Sequence, residues 1–135
     1  MSKEWRYCLS DTFSAEVLEL QGVSFSNEWF SVESGRITIK QGYAWDGASP
    51  ALRLTKGIWL GPWDGPLMED GRPASWVSTL VHDALCSAKH DIRVGKKATV
   101  KLFQRQLKER GAPQWMVWLY PKAVYLFGPK FSDAK

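Results

Sequence analysis

The 135-residue chain predicts an α+β fold, a small N-terminal antiparallel β-sheet packed against about three C-terminal α-helices. Two periodicities carry that expectation. Within the first forty residues apolar and polar side chains nearly alternate over 15–20 and 36–40, as in a half-buried strand. From Trp76 onward they recur every three or four residues, as on an amphipathic helix. A third observation, the stop Gly111-Ala112-Pro113, separates the last two helical stretches. A chain of this length buries roughly two thirds of its unfolded surface in one core. We therefore expect a single domain over 1–135, mainly β over 1–50, a long loop over 51–73 and helical over 74–128.

Strands are expected at 15–20 (AEVLEL) and 36–40 (RITIK), with Ser34-Gly35 turning the chain before the second. Shorter extended pieces around 23–25 and 29–32 bring the total to three to five. Such a sheet has one face to be covered, and the helices that follow supply the cover. After the last clear strand comes GYAWDGASP over 42–50, where Asp46-Gly47 favours a tight turn and Pro50 pushes Ser49 away from helical geometry. A carboxylate on such a corner can be aimed into a cleft, although Asp-Gly is also the commonest plain hairpin turn. Residues 51–71 carry Gly, Pro and Trp without periodicity, which reads as a lid or binding loop.

The central helix is expected over 76–90, WVSTLVHDALCSAKH, starting near Pro73 or Ser75. Val77, Leu80, Val81, Ala84, Leu85 and Ala88 form its apolar stripe. His82-Asp83 falls two turns inside, and an ionisable pair there must be hydrogen-bonded, metal-bound or solvent-facing. Asp46 is the expected partner. The next helix, over 96–110, aligns Ala98, Leu102, Phe103, Gln106 and Leu107 as a packing face. The last, over 114–128, is apolar nearly all round, and Pro121 is expected to kink or split it.

Composition narrows the classes of function. A net charge of +4 with acids interspersed among the basic residues of 89–108 reads as a solvated helix face rather than a nucleic-acid groove. Cys8 and Cys86 are too few for a disulfide scaffold, and reduced thiols are expected. The start, MSKEWRYCLSD, has no apolar signal core, and no stretch reaches the ~18 apolar residues of a membrane span. A soluble protein made in the cytoplasm is the expectation. Eight tryptophans exceed what a core of this size encloses, so several are expected at a cleft rim or an interface.

Three chemistries fit the candidate residues. Asp46 and His82 suit zinc, with Cys86 and His90, at i+4 and i+8 from His82, as further candidate ligands. Metal-bound water could then attack an amide or ester. Adjacent helical residues point about 100° apart, so Asp83 would support the site by orienting the ring or capping a backbone N–H. Alternatively Ser49 serves as nucleophile, His82 as base and Asp46 or Asp83 as orienting acid. The third possibility is a buried polar clamp between Asp46 and His82 that locks sheet to helix without chemistry.

The paired motifs Gly42-Tyr43…Asp46-Gly47-Ala48-Ser49 and His82-Asp83…Leu85 resemble domain-of-unknown-function family 1353, mostly encoded by phages and prophages. Phe103, Gly111, Ala123-Val124 and Leu126-Phe127-Gly128 extend the likeness. Val100 stands where the family often has an aspartate, and Pro50 comes one place early. The resemblance implies a phage origin and marks Asp46, His82 and Asp83 as the site; it supplies no activity. The expected function is a metal-assisted hydrolase of peptidoglycan or another polar polymer. The alternative is a non-catalytic virion or tail component, or a host-protein interaction module. Both place the protein in the host cytoplasm, with incorporation into the virion as a further option.

Overall fold

The structure, a computed structural model, describes residues 7–45, 68, 72, 74–92 and 94–127. Among them six short strands form two sheets. Strands β2 (Phe13–Glu16), β5 (Arg36–Ile39), β4 (Phe30–Glu33) and β3 (Phe25–Ser26) make a four-stranded antiparallel sheet in that order. β1 (Tyr7–Cys8) pairs with β6 (Ala44–Trp45). The count exceeds the expected three to five because a two-residue ladder is too short to show alternation.

The β4–β5 hairpin turns on Ser34 and Gly35 at φ 51° and 73°, both left-handed, as a two-residue hairpin loop demands. Phe30, Val32, Ile37 and Ile39 are buried on one face of it, as alternation requires. The strand expected over 15–20 ends instead at Glu16, and Leu18–Leu20 is a 3-10 helix. Val17 and Leu20 explain the break: both are fully buried, yet a strand would send residues three apart to opposite faces, whereas a 3-10 turn eclipses them.

Three helices complete the fold: α1 (Trp76–Ser87), α2 (Lys96–Glu109) and α3 (Gln114–Phe127). α1 stops three residues short of His90. α2 ends where Gly111 takes φ 82° and the Ala112 N–H reaches the Leu107 carbonyl at 3.0 Å, a C-terminal motif that favours glycine. α3 runs through Pro121 as one helix, neither split nor ended. Proline at 121 leaves the Val117 carbonyl without its helical donor, and Gln104 Nε2 of α2 donates to that carbonyl at 3.1 Å.

The core lies in two clusters joined by α2. Leu102 belongs with the sheet residues and α1, whereas Phe103 and Leu107 pack with Met116, Val117, Tyr120 and Val124. Between them Arg105 grips both oxygens of Glu19, at 2.6 and 2.9 Å, and reaches the Glu16 carbonyl and Glu109. The hydrogen bond from Arg105 holds the Glu19 carboxyl below its ordinary range.

Candidate functional site

The described part of the first motif, residues 42–45, meets the central helix. Trp45, fully buried at the end of β6, sets its ring against Trp76 at 5.1 Å and donates its indole N–H to Thr79 Oγ1 at 3.2 Å. Two residues earlier, Tyr43 Oη donates to Asp83 Oδ2 at 2.5 Å. Tyr43 and Trp45 have the same parity in an extended segment, so both can face α1. Asp46 and Ser49, which carried the expected ligand and nucleophile, lie outside the described residues. Tyr43 entered the sequence reading only as a motif match; its spacing from Trp45 was the signal for its contact with the helix.

His82 and Asp83, neighbours on α1, address different surroundings. Asp83 meets the sheet side through Tyr43, while the imidazole of His82 stands edge-on to Phe103 of α2 with ring centres 5.7 Å apart. Burial, and then the positive charge of Lys96, lower the imidazole to about 4, so it is neutral at pH 7. One turn on, Cys86 Sγ lies 3.4 Å from His82 Nδ1. Burial, reinforced by the Asp83 carboxylate, pushes the thiol up to about 12. The pair is therefore a neutral thiol beside a neutral imidazole. An activated nucleophile would need the thiolate. Burial and the same carboxylate also raise Tyr43, which stays a phenol.

The ligand series His82, Cys86, His90 does not form. α1 ends at Ser87, so the exposed His90 sits in the following turn, off the helical face that the spacing assumed. Among the described residues no group of three or more His, Cys, Asp or Glu is arranged to hold a metal ion. Tyr43, Asp83, Cys86, Ser87 and Trp29 line an open cleft of about 680 Å³. Trp29, 41% exposed, stands at its rim against Tyr43, ring centres 6.0 Å apart.

A second surface feature belongs to α3. Trp115 and Trp118 are 53% and 61% exposed, and Leu119 and Tyr125 are also open to solvent. Lys122 Nζ lies 5.0 Å from the ring centre of Trp118, and Lys96 Nζ 5.2 Å from that of Tyr125. Trp118, Pro121 and Tyr125 help line a groove of about 480 Å³ against α2.

Fold and site together define an α+β domain whose sheet and central helix are fastened by hydrogen bonds from Tyr43 and Trp45. No protein-family model, curated protein or solved structure matches the chain. Among the described residues no helix is long and apolar enough to cross a membrane.

Proposed function

We propose that the chain is a non-catalytic interaction module of phage origin, a virion component or a modulator of a host protein. In this reading the Tyr43–Asp83 and Trp45–Thr79 bonds are structural, and the exposed face of α3 engages the partner. The observation that carries it is the run Trp115, Trp118, Leu119, Tyr125, four large side chains left open on one helix. Aromatic side chains of this kind supply most of the energy at protein interfaces and are otherwise disfavoured at a surface. The neutral His82 and Cys86 support it from the other side, since neither is poised as a base or nucleophile at pH 7.

Trp115→Ala and Trp118→Ala are expected to leave the unfolding midpoint unchanged while removing the chain from purified virions or from its host complex. Mass spectrometry of the purified particles and size-exclusion light scattering measure this. A monomer absent from virions and from host complexes in the wild type would overturn the reading.

One observation favours a second reading, the metal-assisted hydrolase with Asp46 and His82 as zinc ligands and Asp83 in support. An imidazole kept neutral at pH 7 is in the form that binds a metal. Near-stoichiometric zinc in untagged protein, lost in folded His82→Ala together with cleavage of peptidoglycan, is its expected result.

A further inference from the structure

Among the described residues strand β2 stands at the edge of the four-stranded sheet, paired only with β5. The bond from Val17 N–H to the Gly35 carbonyl sets which of its backbone groups face β5. Parity assigns Phe13 and Ala15 to that side, and it turns the N–H and C=O of Ser14 and Glu16 outward. Arg105 Nη2 confirms the direction by reaching the Glu16 carbonyl from outside at 3.1 Å. Among the described residues no other group bonds to this outer side.

The outer edge opens into a groove of about 280 Å³ between β2 and the helices, with Val77 of α1 and Gln106 and Arg110 of α2 in its walls. Gln106 is 3% exposed, and neither its amide nitrogen nor its amide oxygen has a hydrogen-bond partner. A buried primary amide with both ends unmade is uncommon in a folded protein, where such groups are nearly always paired. It offers an N–H donor group and a carbonyl acceptor side by side. The complement of that pair, and of a row of outward backbone donors and acceptors, is another peptide backbone.

We infer that the edge of β2 is a docking site for an extended segment of a partner protein, which adds as a fifth strand. The Ser14 N–H and C=O and the Glu16 N–H pair with one side of the incoming backbone, while Gln106 takes a peptide group of the same segment. Arg105, already seated on the Glu16 carbonyl, closes one end and limits the paired stretch to a few residues. Phe13, Ala15 and Val77 give the groove an apolar floor, so the segment carries small or β-branched apolar side chains on its inward face. This site is separate from the aromatic face of α3 and does not depend on that surface binding anything.

The test uses the full chain, labelled with nitrogen-15, titrated with an array of acetylated hexapeptides that alternate Val, Thr and Ala with Ser or Lys. At least one peptide is expected to shift the backbone amide signals of Ser14 and Glu16 and the side-chain amide of Gln106 together. Methylating the backbone nitrogens on the pairing side of that peptide should weaken binding about tenfold or more, since main-chain hydrogen bonds supply the affinity. In the protein, Gln106→Leu should do the same, and Ser14→Pro, tolerable on an edge strand, removes one donor. Signals that no peptide moves, or binding indifferent to backbone methylation, overturn the proposal. So does a concentration-dependent shift of the same signals without peptide, which would assign the edge to a second copy of the chain.

Discussion

The imidazole of His82 sits among Phe103, Cys86 and the approaching charge of Lys96, surroundings in which its protonated form is disfavoured. Its folded value of about 4 lies below the ordinary 6.5. Between those two values the unfolded chain binds a proton that the folded chain lacks. Stability therefore rises with pH across that window: it is complete above 6.5 and is lost as pH falls toward 4. Because the residue as a whole is half-buried, the loss is discounted to about 2 kcal/mol. Urea denaturation at pH 7.5 and pH 4.5 should show it in the wild type and not in His82→Leu. A wild-type slope that survives the substitution would place the titrating group elsewhere. Glu19 contributes in a different window, since its carboxyl is held below 4.5 and its share is lost only as pH falls further.

Among the elements, α3 depends on a partner in α2. An interior proline costs about 3 kcal/mol or more in an isolated helix, through a lost hydrogen bond and a clash with the preceding turn. Here the Gln104 side chain donates to Val117, the carbonyl that Pro121 leaves open. Gln104→Met should therefore destabilise the protein by about 1 kcal/mol. In a Pro121→Ala background the restored N–H serves that carbonyl, and the same substitution should cost less than about half as much. A double-mutant cycle in urea measures the coupling, and additive effects would contradict it. A split at 121 was the local expectation, and the helix continues instead; what local reasoning missed is a donor seventeen residues back, which periodicity does not encode. The same limit applies to residues 15–20, where Val17 and Leu20 both had to reach the core and a strand could not take them there. The helices at 76, 96 and 114 and the Ser34-Gly35 turn were legible because each is specified by its own neighbours in sequence.

At the scale of the whole molecule, the sequence led us to expect the 42–50 stretch beside the central helix, and residues 42–45, the described part of it, lie there. The equal parity of Tyr43 and Trp45 was the one trace of their contacts with the helix, and it is easily missed, because a tyrosine and a tryptophan in a strand are ordinarily read as filler for a core. What joins the rest is α2, which gives Leu102 to one apolar cluster and Phe103 and Leu107 to the other. Arg105 lies between them and ties the helix to Glu19, 86 residues earlier. A shared element of this kind should make the two clusters unfold together. Arg105→Lys keeps the charge but loses the planar fork that spans both Glu19 oxygens and reaches the Glu16 carbonyl, and should cost about 1–2 kcal/mol. Native-state hydrogen exchange separates the alternatives, with the amides of Val32 reporting on the sheet cluster and those of Tyr120 on the α3 cluster. Both should lose protection by the same free energy in the variant. A loss confined to Val32 would mean that α3 and its cluster hold together without the sheet, and that α2 does not couple the two halves.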